Sequence, residues 1–395
     1  MAYRTYRGER LSKIGVGCYG VGGAYGEKDP QQYVGVLRRA AELGVTFFDT
    51  ADVYGPGEEV LGQALAPFRD RVWIATKVGA SESGKPDCSR AHVVASCEQS
   101  VRRLGVERID LYQIHFDDPC TPVDETVGAL EELAAAGKIR YYGVGHLSPA
   151  RVAEYLATGN VFSALVELSG VARGALRRTA PLCRARGVGL IAFSVTGRGM
   201  LTGQIGPDTA FEPGDIRRLD PLFQRARRAS GLRVADEMRQ LGERYGKSPV
   251  QVAIAWVLAQ PGVICALTGP STVAHLEENL GGSGWTLDAD DLAALDHFLD
   301  TEEERLRREQ VDELRAILQS KTPGEQPFAD LVYVLETLVE LELAEETEVI
   351  PAFQQLWPQR ADPDPATLAG IRAALRERFL STLEGTACQS LACNV

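Results

Sequence analysis

The sequence predicts an α/β fold: a (β/α)8 TIM barrel followed by an all-helical C-terminal extension. Over about the first 300 of the 395 residues, short β-branched and aromatic runs alternate eight times with stretches of helical periodicity, the pattern of a closed parallel barrel. Beyond residue 300 only helical periodicity continues. We therefore expect a barrel domain at 1–300, a helical accessory domain at 301–385 and a Cys-containing tail at 386–395.

The barrel prediction depends on eight strands in chain order. They are predicted at residues 13–18, 45–50, 72–77, 109–115, 139–145, 162–168, 188–194 and 263–269. The clearest helical patterns between them cover residues 33–43, 93–104, 126–136 and 250–258. In the extension, apolar spacing predicts amphipathic helices at 302–320, 328–346 and 365–384, separated by segments that contain proline.

A doubly wound open sheet is the competing fold class. Its fingerprint would be a glycine-rich turn that opens a helix directly after the first strand. Glycines do occur here, at positions 15 and 17 within the first predicted strand and at positions 20, 22 and 23 after it. However, residues 19–29 read as a loop, and no acidic residue follows a second strand at the required distance. We interpret the glycines as a tight loop at the barrel mouth.

Charge and composition limit the classes of partner. The formal net charge is −12, and residues 301–395 carry 18 of the 54 acidic residues but only 9 of the 42 basic ones, which supports a separate C-terminal unit. Because no basic run is present, nucleic acid is not expected as a partner. No stretch of 18 apolar residues and no apolar secretory segment at the start is found, so we expect a cytoplasmic protein without a membrane partner.

Metal and disulfide sites are not indicated. The eight cysteines form no CxxC pair, and the five histidines form no ligand cluster. Two of the cysteines, Cys388 and Cys393, stand in the C-terminal tail, in a stretch without charged residues. A frayed terminus is the simplest interpretation, but a redox pair, a segment that enters the barrel mouth and a modified peptide segment stay open.

Four polar residues lie where predicted strands end, which is where a (β/α) barrel carries its active site. They are Asp49, Tyr54, Lys77 and His115. A phenol ionises near pH 10, but a neighbouring ammonium favours the phenolate, and a buried carboxylate holds that ammonium in place. The set would make a proton donor for a carbonyl oxygen, with His115 orienting the substrate. Tyr19 and Tyr25, in mouth loops, are candidates for substrate contact.

Six stretches resemble, in order, the motifs of the aldo-keto reductase family: FFDTADVYGPGEEVLGQAL, WIATKVG, RIDLYQIHFDD, GKIRYYGVG, AFSVTGRGMLTG and HLEENLG. The resemblance covers roughly residues 8–300. It implies that the four residues above form the family's catalytic tetrad and that the cofactor is a nicotinamide dinucleotide, typically NADPH. By the same resemblance the positions that face the cofactor are Gly145, His146, Phe193, Ser194, Gly197, Gly199, Leu201, Gly269, Ser271, His275, Glu278 and Asn279.

Some of these positions depart from the family pattern. Gly145 and His146 stand where the family usually has Ser-Asn, and Leu165 stands where it has Gln, the side chains that hold the nicotinamide carboxamide. Gly269 and His275 stand where NADPH-selective members often have Lys and Arg. The resemblance therefore implies a dinucleotide, but with weaker binding and less preference for NADPH over NADH.

The expected function is the NAD(P)H-dependent reduction of an aldehyde or ketone to an alcohol. One alternative is a cofactor-sensing regulatory protein with little turnover, because the barrel also resembles the β subunits of potassium channels. Another is a pathway-specific enzyme that acts on a peptide, including its own Cys-bearing tail. The helical extension could serve as a docking module or could support a homo-oligomer. The sequence does not define the substrate.

Overall fold

The computed structural model describes residues 1–26, 29–80, 85–320, 324, 326–360 and 362–392. The chain divides into two compact units. Unit 1 contains residues 1–205, 212–215 and 235–292, and unit 2 contains residues 206–211, 216–234 and 293–395. The division falls near residue 292 rather than 300, and it assigns two segments that follow the seventh barrel strand to the second unit.

Unit 1 is a closed parallel barrel of eight strands. Its strands are β3 Ile14–Gly17, β4 Phe47–Asp49, β5 Trp73–Val78, β6 Ile109–Ile114, β7 Ile139–Gly145, β8 Ser163–Glu167, β9 Gly189–Phe193 and β10 Val263–Thr268. They follow one another around the barrel in chain order, and β10 closes it by pairing with both β9 and β3. Seven lie within the predicted strands and β5 extends one residue beyond its predicted end at Lys77, so the predicted TIM barrel is confirmed.

A hairpin precedes the barrel and was not predicted. Its strands are β1 Tyr3–Tyr6 and β2 Glu9–Ser12, which pair antiparallel around Arg7 and Gly8, both with positive φ. The Tyr6 hydroxyl donates to the Phe162 and Gly187 carbonyls at 3.0 and 2.8 Å. The hairpin therefore caps the end of the barrel at which β8 and β9 begin.

Helices alternate with the strands as predicted. Those that follow the first barrel strands are α1 Pro30–Glu42, α2 Gly57–Leu65, α3 Arg90–Leu104, α4 Val123–Ala135, α5 Pro149–Thr158 and α6 Gly174–Ala185. Later come α7 Arg225–Tyr245, α8 Pro249–Ala259 and α9 Val273–Leu280. Several begin at side-chain caps; Asp29, Ser89 and Ser148, for example, accept hydrogen bonds from first-turn N–H groups.

Strand alternation determines which side chains enter the barrel. On β6, Leu111 lies in the apolar core of the barrel, and Gln113 and His115 follow on the same face at spacing two. On β5, Ala75 and Lys77 follow the same rule. The barrel interior therefore changes from apolar to polar toward the C-terminal ends of the strands.

Unit 2 is helical and has its own apolar core. Its helices are the C-terminal part of α10 Ala289–Gln319, then α11 Pro327–Glu340, α12 Glu346–Leu356 and α13 Pro365–Ala392. Its core includes Leu314, Leu335, Leu338 and Phe379. The prediction of a single helix at 328–346 is wrong, because α11 ends at Glu340 and a separate helix, α12, begins at Glu346. Leu341 ends the helical conformation and Glu342 adopts a positive φ of 59°, which breaks the helix.

The first half of α7 belongs to this helical unit through ion pairs. Arg225 pairs with Asp330, Arg227 with Glu340, and Arg233 with Glu302. The spacing of apolar residues does not predict these ion pairs, because arginine and carboxylate side chains on a helix usually indicate a solvent-exposed face. The prediction that residues 301–385 form an accessory domain did not anticipate that this segment would join them.

The predicted tail lies in the last helix for most of its length. The backbone of α13 continues past Gly385 to Ala392, so the helix end expected near Gly385 differs from the structure. Cys388 therefore falls within α13, whereas Cys393 lies outside the described residues. Among the described helices of both units, none combines the length and apolar character needed to cross a membrane.

Candidate active site

Four of the predicted residues meet at the C-terminal ends of neighbouring strands. Asp49 is the last residue of β4, Lys77 lies near the end of β5, and His115 directly follows β6. Tyr54 lies in the loop between β4 and α2. The three strands are adjacent in the barrel, so the fold brings together residues that are as far apart as 66 positions in the chain.

Asp49 and Lys77 form a buried ion pair. Lys77 Nζ donates to Asp49 Oδ1 at 2.5 Å and to the Thr50 carbonyl at 2.7 Å, and both side chains are almost completely buried. Burial lowers the pKa of Lys77, but Asp49 and Tyr54 outweigh it, so the pKa lies above its ordinary value. Lys77 therefore stays an ammonium.

Tyr54 lies between this pair and His115. Its ring centroid is 4.8 Å from Lys77 Nζ, and its hydroxyl is 3.5 Å from His115 Nε2. Burial raises the pKa of Tyr54, and the opposing effect of Lys77 does not cancel it. The net lowering expected from the sequence therefore does not appear, because the neighbouring ammonium competes with a larger cost of desolvation. At neutral pH the side chain is a phenol with a proton to donate.

His115 is a neutral ring at this position. Burial, together with the charge of Lys77, lowers its pKa well below the ordinary value. Phe116 stacks on it at 4.2 Å between centroids. Its Nδ1 atom is buried and has no hydrogen-bond partner among the described residues. A neutral imidazole beside Tyr54 can donate one N–H to a substrate oxygen.

Aromatic side chains surround Tyr54 and His115 at the mouth. Tyr19 packs edge-to-face on Tyr54 at 5.2 Å and on Tyr25 at 5.8 Å, so both predicted loop tyrosines lie at the site. On the other side the His146 ring lies 5.4 Å from His115 and 4.8 Å from Phe193. Tyr19, Phe116 and His146 are exposed. The mouth therefore presents an accessible aromatic surface next to the phenol.

The segment after β9 contains the next group of predicted residues. From Ser194 to Gly203 the chain turns repeatedly through positive φ, at Ser194, Gly197, Arg198, Gly199 and Gly203. At Gly197 a Cβ would lie 2.9 Å from Val171, so a side chain is excluded there. The Leu201 side chain is completely buried, and only its backbone could face a ligand. Turns of this kind can present backbone N–H groups to a phosphate. In this segment the N–H groups of Gly197, Gly199, Met200, Leu201 and Thr202 donate to its own carbonyls.

The last group follows β10. Gly269 comes directly after the strand, and Ser271 and His275 meet through Ser271 Oγ and His275 Nδ1 at 3.2 Å. Glu278 is exposed and Asn279 is buried, both on α9. None of the described contacts joins this group to the tetrad; the two groups share only the barrel end at which they stand.

The departures at Gly145 and Leu165 are coupled in space. The two residues are paired neighbours on β7 and β8, and a Cβ at position 145 would lie 3.2 Å from Leu165 Cβ and 3.3 Å from Cδ2. Leu165 belongs to the apolar core of the barrel. His146 has a φ of 50°, in the left-handed region where Asn is favoured. The leucine therefore occupies the room that a serine side chain would need.

Sequence reasoning missed two polar contacts at this end of the barrel. Gln113 Nε2 donates to Asp49 Oδ2 at 3.0 Å, and Arg198 pairs with Glu167 at 2.8 Å. The signal for Gln113 was available, because it lies two residues before His115 on the same strand and therefore on the same face. The signal for Arg198 and Glu167 was not, because they lie 31 positions apart.

Comparison with known proteins matches this architecture. The model of the aldo/keto reductase family matches residues 13–300. The chain belongs to this family. It is 34% identical over 294 residues to probable aldo-keto reductase 1 of Glycine max, with 72% of this chain and 85% of that protein covered. It is 32% identical over 302 residues to aldo-keto reductase YhdN of Bacillus subtilis (strain 168), with 74% and 91% covered.

Solved structures of the family agree. The glycerol dehydrogenase AKR11B4 of Gluconobacter oxydans is 31% identical, with a TM-score of 0.70 over 76% of this chain and 95% of that one. The holo form of aldo-keto reductase AKR11C1 from Bacillus halodurans is 27% identical, with a TM-score of 0.62 over 75% and 96%. Aldo-keto reductases are oxidoreductases that act on carbonyl compounds, and the barrel of this chain is of that kind. The family match ends at residue 300, so it does not cover the rest of the helical extension.

Proposed function

We propose that this aldo-keto reductase is an NAD(P)H-dependent enzyme that reduces an aldehyde or ketone to an alcohol, with Tyr54 as the proton donor. The observation that supports this most is the arrangement of Tyr54 between a buried ammonium and a neutral imidazole. A carbonyl oxygen that accepts a hydride becomes an alkoxide and needs one proton. Tyr54 is the group beside His115 that holds such a proton at neutral pH.

Each residue then has a defined task. His115 Nε2 would donate to the substrate oxygen and orient it next to the Tyr54 hydroxyl. Tyr54 gives up its proton, and the Lys77 ammonium stabilises the phenolate that forms. Asp49 keeps Lys77 charged and in place, because a buried ammonium without a counter-ion would lose its proton. Tyr19 and Phe116 would pack on the substrate and exclude water.

The residues present fit a nicotinamide dinucleotide in part. The Ser194–Gly203 segment fits the pyrophosphate, the half-buried Phe193 fits a stacked ring, and Glu278 and Asn279 would face adenine. The carboxamide contacts do not fit, because Leu165 and Gly145 offer no side-chain donor or acceptor. When bound, the dinucleotide supplies the hydride. We infer NADPH as the cofactor, with NADH accepted.

The decisive test is Tyr54→Phe. General acid catalysis contributes about 10²–10⁴-fold, so we expect kcat/KM for carbonyl substrates to fall by about that factor. The Kd for NADPH, measured by fluorescence titration, should stay within about twofold, because only the hydroxyl is removed. If the variant retains most of its activity, Tyr54 is not the proton donor.

A cofactor-sensing protein is the second candidate, and one observation favours it. The carboxamide pocket lacks its usual polar groups, which would weaken the hold on the reactive ring. If the protein is a sensor, both the wild type and Tyr54→Phe should bind NADPH. Neither should oxidise NADPH when aromatic and aliphatic aldehydes are added as substrates. Turnover that disappears in Tyr54→Phe would exclude the sensor.

A further inference from the structure

Gln113 contacts the Asp49 carboxylate at the oxygen that Lys77 does not bind. Its side chain is completely buried on β6, between Leu111 below and His115 above on the same strand face. Nε2 donates to Asp49 Oδ2 at 3.0 Å, while Lys77 donates to Oδ1 of the same carboxylate. Asp49 is therefore held at both oxygens by different groups, and its side chain cannot rotate without breaking one of the two bonds.

The orientation of the Gln113 amide follows from chemistry. A carboxylate only accepts hydrogen bonds, so the –NH2 group must face Asp49 and Oε1 must face away. Oε1 is buried and has no hydrogen-bond partner among the described residues. An unpaired buried acceptor destabilises the folded protein. A glutamine kept here despite that cost contributes to the protein mainly through its bond to Asp49.

We propose that Gln113 is a positioning residue for proton transfer: it fixes Asp49 so that Lys77 stays charged beside Tyr54. This inference rests on the proposed function, in which Tyr54 gives up its proton next to Lys77. Without the second donor, a proton moves more readily from Lys77 to the buried carboxylate, and both charges are lost. Lys77 affects Tyr54 more strongly than Asp49 does, so neutralising the pair makes the phenolate less stable.

The test compares two buried variants in the full-length protein. Gln113→Met keeps the length of the side chain and removes the donor. Ser163→Ala is the matched control, because Ser163 lies two strands away, is also completely buried, and its Oγ has no hydrogen-bond partner among the described residues. The readout is the pH titration of phenolate absorbance, with the contribution of Tyr54 obtained by subtracting the same titration in a Tyr54→Phe background.

We expect the pKa of Tyr54 to rise by about one unit in Gln113→Met, which is about tenfold less phenolate at a given pH, and to stay unchanged in Ser163→Ala. With a carbonyl substrate, kcat should fall about tenfold and the basic limb of its pH profile should move upward, with the NADPH Kd unchanged. A Tyr54 pKa that stays the same or falls would overturn the proposal.

Two provisions keep the result decisive. If Gln113→Met does not fold, Gln113→Asn keeps a buried amide but withdraws it from Asp49 by one methylene, and the same rise is expected. The titration needs neither substrate nor cofactor. If the wild-type protein reduces no carbonyl compound, the proposed function fails, while the titration still shows whether Gln113 acts on Tyr54 through Asp49.

Discussion

The barrel and the helical unit each contain a carboxylate held at both oxygens near a tyrosine, and they use it differently. In the barrel, Asp49 binds Lys77 and Gln113, and Tyr54 lies beyond the ammonium. In the helical unit, Glu313 Oε2 accepts from the Tyr333 hydroxyl at 2.5 Å, and Oε1 accepts from the Ala226 N–H at 3.0 Å. The chemical groups are similar, but the barrel places the Lys77 ammonium between carboxylate and tyrosine, whereas Tyr333 donates directly to Glu313 and the nearby Arg227 lies 6.0 Å from its ring centroid.

The difference lies in charge and access. Burial and Glu313 both raise the pKa of Tyr333, and the ring is completely buried in the apolar core. Its hydroxyl keeps the proton and donates a hydrogen bond to Glu313, so the pair stabilises the fold. The pKa of Tyr54 is raised mainly by burial and is opposed by Lys77, and the side chain borders an exposed aromatic mouth. A tyrosine next to a carboxylate is therefore not sufficient for proton transfer.

Removal of the Lys77 ammonium should have the largest effect on the difference between the two tyrosines. Lys77→Met should lower kcat/KM by about 10²–10⁴-fold, because the phenolate then loses its stabilising charge. It should also cost about 3–5 kcal/mol of unfolding free energy, since it leaves Asp49 buried and unpaired. The double variant Lys77→Met/Asp49→Asn should recover most of the stability, measured by denaturant unfolding, and none of the activity. Recovery of activity in the double variant would contradict the role of the ammonium.

The reverse test addresses the helical unit. Tyr333→Phe removes a hydrogen bond to a carboxylate that keeps its second donor, Ala226, and should cost about 1–3 kcal/mol of unfolding free energy. Carbonyl reduction per folded molecule should change less than twofold. Thermal unfolding and initial rates at saturating substrate would measure both. A loss of activity comparable with that of Tyr54→Phe would show that this tyrosine is not merely structural.

The sequence predicted the barrel better than the helical unit for a physical reason. Parallel strands that are buried on both faces form continuous apolar runs, which can be recognised in the sequence alone. All eight barrel strands were predicted from such runs. The helical unit depends on ion pairs such as Arg233–Glu302 between segments far apart in the chain, and on a break at Glu342 that apolar spacing does not mark. These are properties of the assembled unit.

The sequence predicted the positions of the site residues but not the direction of the Tyr54 pKa shift. Strand ends located Asp49, Lys77 and His115, because the barrel topology brings such ends together. The direction of the Tyr54 pKa was not predictable, since it is the difference between burial and the Lys77 charge, and both depend on coordinates. The spacing of Gln113 from His115 places both on one face of β6, but its hydrogen bond to Asp49 depends on a contact between two strands and was missed. The role of Cys388 and Cys393 stays a prediction.

The smallest effect we expect concerns the cofactor, and it tests the difference between the tetrad, which matches the family pattern, and the neighbouring positions that depart from it. Gly145→Ser alone should not tighten NADPH binding, because its Cβ would lie 3.3 Å from Leu165 Cδ2 and leucine at 165 offers the carboxamide no polar group. In the triple variant Gly145→Ser/His146→Asn/Leu165→Gln, the unbranched glutamine removes the contact with Leu165 Cδ2, and the new side chains supply polar groups for a carboxamide. Asn suits the positive φ at position 146.

We expect the triple variant to bind NADPH and NADH about tenfold more tightly, which corresponds to about 1.4 kcal/mol, or one to two hydrogen bonds. Both cofactors should gain equally, since both carry the same carboxamide and differ only at the 2′-phosphate. Fluorescence titration with each would measure the gain, and Leu165→Gln alone is the matched control, because it lacks the new Ser and Asn. Unchanged affinity in a folded triple variant would mean that the ring binds elsewhere than beside Phe193. A gain for NADPH alone would place the effect at the phosphate end, where Gly269 and His275 differ from the family, and would leave the Tyr54 assignment to be judged on its own test.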